Sequence, residues 1–329
     1  MDQNHPYSQL VPDRVLAAVE MLGFHTDARI FALNSYENRV YQVGLEDTTS
    51  IIVKFYRPGR WNREQILEEH SFTKELVELE IPVIAPESFG DKGTLLEFED
   101  FHLAIFRQLS GRPPELDNLD TLLVMGRFVG RIHAVGATAN FLHRRILSVE
   151  LFAEESRLFL LENNFIPTDL INAYDSLSSD LIRAIEHRFQ SFGKLFTLRI
   201  HGDCHPGNVL WKDDKPNFVD FDDTMTGPAI QDLWMMLSGD RNQRQAQLIE
   251  LVEGYSEFFD FREKELELVE PLRTLRLMHY SAWLAKRWTD PAFPQSFPWF
   301  NTERYWASHI LELREQLAAL DEPFLELLN

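Results

Sequence analysis

Short runs of β-favouring apolar residues, separated by turn residues, dominate the first third of the chain. They predict five strands over residues 29–33, 40–43, 51–56, 95–98 and 102–106. The opening segment differs, because residues 12–22 carry apolar side chains at helical spacing. We expect a helix there that ends at Gly23.

One further helix interrupts the strand-like runs. Residues 63–79 place Ile66, Phe72 and Leu76 on one face of this predicted helix. The next stretch, residues 81–86, contains two prolines and is therefore predicted to be extended. The first third of the chain should form a small antiparallel sheet with one helix packed on it.

Helical periodicity dominates the remainder, from Asp120 almost to the end of the chain. The β signal returns only around residues 197–200, 209–211 and 218–221. The sequence therefore predicts an α+β fold in which a β-rich part, residues 1–108, precedes a larger and mainly helical part, residues 109–329.

The composition excludes several classes of partner. The 329 residues carry a net charge of −20, whereas nucleic acids and anionic membranes require a basic surface, so we expect neither. Residues 1–10 lack the features of a signal peptide, and no apolar run approaches the ~20 residues of a membrane span. Cys204 has no second cysteine with which to form a disulfide. We expect a cytoplasmic protein and, without long coiled-coil heptads, a monomer.

Two short segments carry the candidate chemistry: residues 200–210, I-H-G-D-C-H-P-G-N-V-L, and residues 217–223, N-F-V-D-F-D-D. Phosphoryl transfer needs a carboxylate that receives the hydroxyl proton and oxygen ligands that hold Mg²⁺ on the phosphates. Asp203 suits the first role, and Asn208 and Asp220 suit the second. Taken singly, Asp203 and Asn208 are explained as turn formers, but their joint spacing with Asp220 favours a catalytic site.

The pattern H-G-D-x-H-x-x-N followed by D-x-D resembles the catalytic and metal loops of the aminoglycoside phosphotransferase and choline kinase group, relatives of the protein kinases. The resemblance implies a bilobal protein-kinase-like fold, with residues 1–108 as the nucleotide-binding lobe and residues 109–329 as the catalytic and acceptor-binding lobe. It also implies ATP and Mg²⁺ as cofactors. In this group His201 would brace the catalytic loop, and Asp232 would cap the next helix and hold that loop in place.

Lys54, in the segment I-I-V-K-F-Y, resembles the kinase lysine that reaches the α- and β-phosphates, although a solvent-facing lysine on an edge strand would give the same pattern. Its partner should be a glutamate on the predicted helix over residues 63–79. Glu68 and Glu69 compete for this role. Glu69 is preferred, because its spacing to the following apolar residues matches the pattern of the family.

Residues 33–41, L-N-S-Y-E-N-R-V-Y, occupy the place of the glycine-rich loop of protein kinases but contain no glycine. The aminoglycoside and choline kinase relatives also use a polar loop here. Asn34, Ser35 and the backbone amides around them are therefore expected to donate hydrogen bonds to the phosphates. Adenine should lie against the connector, residues 105–109.

Several neighbours of the motif have more than one interpretation. His201, Cys204 and His205 suggest a zinc site, but ligands so close in sequence rarely complete a tetrahedron. Asp222 is either a second metal contact or a solvated acid.

The aromatic- and proline-rich residues 279–306 also have two interpretations. They either form one wall of an acceptor groove, together with Arg273, Arg276 and Arg287, or belong to the core of the helical part.

A longer resemblance extends over most of the chain. Residues 34–42, 53–58, 66–70, 282–284 and 287–294 resemble segments of the bacterial stress response kinase A family. That family implies a Ser/Thr protein kinase with protein acceptors. The short interval between Asp220 and Asp232 favours a small-molecule kinase instead, for an aminoglycoside, choline or homoserine-like alcohol. A nucleotide-binding pseudokinase scaffold is the third interpretation.

Overall fold

The structure is a computed structural model that describes residues 5–327, and its first part is an antiparallel sheet with the strand order β1-β2-β3-β5-β4. The strands are β1 (Thr26–Ala32), β2 (Arg39–Leu45), β3 (Ser50–Phe55), β4 (Leu96–Phe98) and β5 (Phe101–Arg107). Lys54 of β3 lies opposite Val40 of β2 and Ala104 of β5. Because β3 is an inner strand and Lys54 is buried, the edge-strand interpretation of this lysine is wrong.

Two helices pack against this sheet. Helix α1 (Pro12–Glu20) buries its apolar face in a core formed with β2, β3 and β5. Helix α2 (Arg63–Glu78) begins with a capping box, in which the side chains of Asn62 and Gln65 each accept a hydrogen bond from the backbone N–H of the other. The cap fixes where α2 starts and therefore which of its residues face the sheet.

The second part is mainly helical: α3 (Leu119–Gly136), α4 (Glu155–Glu162), α5 (Ile171–Phe192), α6 (Ile230–Trp234), α7 (Arg241–Ser256), α8 (Val269–Lys286), α9 (Ala292–Ser296) and α10 (Glu303–Ala319). Helices α3 and α7 approach closely at Gly126, where a Cβ would lie 2.0 Å from the carbonyl oxygen of Leu251. Within residues 5–327, no helix has the length and apolar character needed to cross a membrane.

A small antiparallel pair, β6 (Leu198–Ile200) and β7 (Met225–Gly227), carries the predicted catalytic segment. The sequence predicted β6 but not β7. The predicted strands over residues 209–211 and 218–221 form a hairpin of isolated bridges instead, with Leu210 and Asn217 exchanging backbone hydrogen bonds of 2.9 Å. Asp220, which follows this hairpin, takes a left-handed conformation, so an extended strand cannot continue through it.

The two predicted parts share one large core. Phe72 and Leu76 of α2 pack with residues of the helical part rather than with the sheet. The extended stretch over residues 81–86 also crosses, because Phe218 donates a backbone hydrogen bond to Pro82 and accepts one from Ile84. The boundary between residues 108 and 109 stays a prediction, and α2 joins the lobes on either side of it.

Candidate active site

Six of the seven predicted site residues line one cleft of about 350 Å³ between the sheet and the helical part. They are Asn34, Ser35, Lys54, Glu69, Asn208 and Asp220. The seventh, Asp203, lies next to the cleft, where its backbone oxygen accepts a 3.0 Å hydrogen bond from Nδ2 of Asn208. The structure therefore brings together residues that are up to 186 positions apart in the sequence (Asn34 to Asp220).

Lys54 is the buried centre of the charged side chains on the sheet side of the cleft. Its Nζ lies 3.5 Å from Glu69 Oε1, 3.3 Å from Asp220 Oδ1 and 3.0 Å from Asp222 Oδ1. Burial raises the pKa of Glu69 to about 7, although the positive charge of Lys54 acts in the opposite direction. Lys54 is therefore held in place by three carboxylates, one from α2 and two from the segment after the hairpin.

Glu68 and Glu69 have different partners. Glu69 is buried beside Lys54, as the sequence predicted. Glu68 accepts hydrogen bonds of 2.6, 2.8 and 2.8 Å from the backbone N–H groups of residues 142, 143 and 144. Glu69 therefore belongs to the cleft, whereas Glu68 connects α2 to residues 142–144 of the helical part.

Asp222 is buried, and the interpretation of this residue as a solvated acid is wrong. Its carboxylate pairs with Lys54 and with Arg60, a residue that the sequence gave no reason to single out. Arg60 also lies 2.5 Å from the half-exposed Asp223. These positive charges outweigh burial and hold the pKa of Asp222 well below its usual range.

Asp232 holds the loop that precedes Asp203. Its carboxylate accepts 2.8 Å hydrogen bonds from the backbone N–H groups of His201 and Gly202, and it lies 3.0 Å from Nε2 of His133. Asp232 lies inside α6 and makes no helix cap, so the capping part of its predicted role is wrong while the loop-holding part agrees with the structure. Gly202 has a φ of +84°, and a Cβ there would lie 2.3 Å from the carbonyl oxygen of Asp223.

The side chain of Asp203 forms an ion pair with Arg276 of α8. Arg276 Nη1 lies 2.6 Å from Asp203 Oδ1, and His205 Nε2 lies 3.5 Å from Oδ2. Burial disfavours the charged form of Asp203, but His205, Arg276 and His201 outweigh it and hold its pKa well below the usual range. Asp203 is therefore an ionised carboxylate that is able to accept a hydrogen bond from a hydroxyl group.

The residues of the zinc hypothesis face other partners. His201 Nε2 lies 2.9 Å from the carbonyl oxygen of Val219, which agrees with the expected bracing role. His205 Nδ1 accepts a hydrogen bond from the backbone N–H of Gly207. Cys204 is buried, and burial raises the pKa of its thiol well above the ordinary value. Within residues 5–327, no three His, Cys, Asp or Glu side chains are grouped so as to hold a metal.

The donor set at the cleft suits Mg²⁺. Asn208 uses its Nδ2 on the backbone of Asp203, and no donor in the described part of the chain reaches its Oδ1. Asp220 is half exposed, with φ 59° and ψ 61°, a left-handed conformation that costs about 1–3 kcal/mol and is typical of functional sites. One amide oxygen and one carboxylate fit Mg²⁺, which keeps waters and phosphate oxygens as its other ligands.

The aromatic residues 279–306 are mostly core. Phe293, Phe300 and Trp306 are buried, whereas Tyr280 and Trp299 remain exposed. Three arginines were considered together with these residues, and Arg276 pairs with Asp203. The other two have different partners: Arg273 Nη1 lies 3.6 Å from Glu270 Oε1, and Arg287 Nε lies 2.5 Å from Glu37 Oε2. Only Arg276 therefore supports an acceptor-side role.

Comparison with known proteins places this geometry in context. The sequence model described as the phosphotransferase enzyme family matches residues 29–266. The chain is 44% identical to stress response kinase A of Escherichia coli O157:H7, over 98% of this chain and 97% of that protein. It is 42% identical to the serine/threonine protein kinase RdoA of Salmonella typhimurium strain LT2, over 99% of this chain and 98% of that protein.

Solved structures share the fold at low sequence identity. Amicoumacin kinase hAmiN, in complex with AMP-PNP, Ca²⁺ and Ami, superposes with a TM-score of 0.73 at 18% identity, over 95% of each chain. The microcompartment-associated aminopropanol kinase gives a TM-score of 0.71 at 17% identity, over 95% of this chain and 99% of that one. These similarities confirm the predicted α+β kinase-like fold.

Proposed function

The chain belongs to the phosphotransferase enzyme family and, within it, to the stress response kinase A proteins, and from this premise we propose that it transfers the γ-phosphate of Mg·ATP to a serine or threonine hydroxyl of a protein acceptor. The observation that carries this proposal is the position of Lys54, Asn208 and Asp220 around one cleft, with the ionised Asp203 beside it.

The nucleotide side of the proposal rests on Lys54. A lysine that is fixed among Glu69, Asp220 and Asp222 loses little conformational freedom when it contacts the α- and β-phosphates. Asn34 and Ser35 line the same cleft opposite the catalytic loop, and we assign them the phosphate contacts on that side. Phe106, Arg107 and Leu109 of the connector also line the cleft, as an adenine site requires.

The metal side rests on Asn208 and Asp220. When it is bound, Mg²⁺ would neutralise charge that develops on the transferred phosphoryl group. Asp220 also contacts Lys54, so metal and phosphate contacts share one carboxylate. Its Asp220→Ala variant should therefore lose affinity for Mg·ATP as well as transfer.

The acceptor side rests on Asp203. Phosphoryl transfer asks mainly for positioning, so a carboxylate that orients the acceptor hydroxyl and accepts its proton is sufficient. His205 and Asn208 hold one face of Asp203, and the half-exposed Arg276 holds the other. The Asp203 side chain is nevertheless 24% exposed, so an incoming hydroxyl group can reach it.

The test incubates the purified protein with Mg²⁺ and γ-labelled ATP, first alone, then with generic protein acceptors, and then with a panel of amino alcohols. We expect label on serine or threonine of the protein itself or of the acceptors, and none with Asp203→Ala, while calorimetry shows that this variant still binds ATP. Label only on an amino alcohol would make the protein a small-molecule kinase. Absence of label under every condition would contradict the proposal, and undiminished transfer by Asp203→Ala would contradict the role of Asp203.

A further inference from the structure

One acidic residue in the loop over the cleft, Glu37, and one basic residue just after it, Arg39, are bonded to the helical lobe. Glu37 lies two positions after Ser35, in the segment that connects β1 and β2, and Arg39, four positions after Ser35, is the first residue of β2. Both have partners more than 240 positions away in the sequence. A glycine-rich loop would move with the sheet alone, whereas this loop is attached to both lobes.

Glu37 makes the first of these attachments. Its side chain is buried, with Oε2 2.7 Å from Nε1 of Trp283 and 2.5 Å from Nε of Arg287, and Oε1 2.8 Å from Nε of Arg57. Burial disfavours the charge of Glu37, but Arg60, Arg287 and Arg57 outweigh it and lower its pKa. A buried carboxylate with three charged or polar partners is costly to disrupt.

Asp290 makes the second attachment. Here the acid belongs to the helical lobe and the base, Arg39, belongs to the sheet. Its two carboxylate oxygens each lie 3.0 Å from Nη2 of Arg39, and Oδ2 lies 2.8 Å from Nη2 of Arg57. Asp290 is buried and also accepts a hydrogen bond from the backbone N–H of Ala292. Arg57 therefore bridges the two attachments. We use the name lobe clasp for six residues: Glu37, Arg39, Arg57, Trp283, Arg287 and Asp290.

Two residues beside the attachments, Tyr36 and Asn38, have fixed contacts of their own. The ring of Tyr36 packs 4.7 Å from that of Phe297, and Asn38 is buried, with its Oδ1 accepting the backbone N–H of Arg57. Asn34 and Ser35, which line the cleft, immediately precede this fixed segment. Their position over the cleft therefore depends on bonds to the helical lobe.

Building on the proposed function, we propose that Glu37 and Arg39 are positioning residues, which hold Asn34 and Ser35 over the nucleotide phosphates by bonding the loop to Trp283, Arg287 and Asp290. The clasp keeps the lobes closed before nucleotide binds. Its ion pairs fix the geometry of a loop that would otherwise be anchored to the sheet alone. The loop is then ordered during folding, so the free-energy cost of ordering it does not reduce the affinity for nucleotide.

The test compares Glu37→Gln and Asp290→Asn, which keep size and some hydrogen bonding but remove the charges. We expect the KM for ATP to rise about tenfold or more in each, with the KM for the acceptor unchanged. The double variant Arg39→Met with Asp290→Asn should be less than additive, because the two residues share one ion pair. The matched control is Arg127→Met, which breaks an exposed bidentate pair with Glu257 and should leave both KM values unchanged.

A second readout needs no acceptor. Spin labels on Glu46→Cys and Glu315→Cys, which are exposed residues of the two lobes, report the distance between the lobes, since Cys204 is buried. The wild type should give one narrow distribution that AMP-PNP does not change. The clasp variants should give a broad distribution that AMP-PNP narrows. Because it needs no phosphate transfer, this readout separates failure of the clasp from failure of the proposed function.

Two outcomes would overturn the proposal. One is an unchanged KM for ATP with narrow distances in the clasp variants. The other is a rise in both KM values with narrow distances, which would indicate a general structural defect. Thermal unfolding checks that each variant folds. If Glu37→Gln does not fold, Arg39→Met is the replacement, because the Arg39 side chain is 17% exposed and tolerates loss of its charge better.

Discussion

Asp203 and Asp222 are both carboxylates beside the cleft between the sheet and the helical part, but their surroundings differ. The side chain of Asp222 is 3% exposed and pairs with Lys54 and Arg60. The side chain of Asp203 is 24% exposed, and its partner Arg276 is itself 41% exposed. Buried charges depend on each other, whereas half-exposed ones can exchange a partner for water or substrate. The fold therefore needs Asp222, and the proposed chemistry needs Asp203.

The largest effect on stability is expected for Asp222→Asn. This change leaves Lys54 and Arg60 buried without their shared counter-charge and should lower the free energy of unfolding by about 3–5 kcal/mol. Urea unfolding at pH 7 measures this loss. A loss no larger than that of Asp203→Asn would show that the two carboxylates are equivalent to the fold.

Glu69→Gln should change the pH dependence of stability. Burial raises the pKa of Glu69 from 4.5 to about 7, so the folded state binds this proton more tightly than the unfolded state. The resulting stabilisation is complete below about pH 4.5 and is lost as the pH rises through about 7, by up to about 3 kcal/mol. Relative to the wild type, the variant should therefore gain stability between pH 4.5 and 8. Urea unfolding of both proteins across this pH range measures the effect. A difference in the free energy of unfolding that does not change with pH would contradict the raised pKa of Glu69.

Glu68→Gln is the matched neighbour of the preceding change. It weakens three hydrogen bonds to backbone N–H groups but leaves the Lys54 cluster intact. We expect a loss of about 1 kcal/mol, independent of pH between 5 and 8, and unchanged transfer activity. A tenfold loss of transfer in this variant would show that Glu68, and not Glu69 alone, contributes to transfer.

Asp203→Asn should have the smallest effect on stability, about 1 kcal/mol or less, because its ion pair is partly solvated. Its transfer rate should nevertheless fall about 10²–10⁴-fold, as expected for loss of a catalytic base. Unfolding and transfer assays on the same preparation test both statements together. A large loss of stability would show that Asp203 belongs with Asp222.

Local sequence patterns were sufficient to predict most of the elements. The five N-terminal strands and α2 follow from apolar spacing and turn residues, and the structure confirms them. The positions of Asp203, Asn208 and Asp220 follow from fixed short spacings. Strand β7 was missed because its three residues, Met225–Gly227, carry too short a pattern to stand out.

Long-range ion pairing was the part that a single sequence did not predict. The segments containing Glu37 and Asp290 were both recognised as family-like, but nothing in either one indicates that they meet. Arg60 follows a Pro-Gly turn and looks like an ordinary surface arginine until the fold places it against Asp222. Charge pairs between distant segments leave no periodicity, so only the assembled lobes show them.

The buried thiol beside Asp203 has a consequence for chemical resistance. Cys204 is the only cysteine of the chain, it is 1% exposed, and burial raises the pKa of its thiol well above the ordinary value. Oxidants and alkylating agents react with accessible thiolates, and this sulfur is neither accessible nor ionised. The loop that carries Asp203 is therefore protected from chemical modification at its thiol.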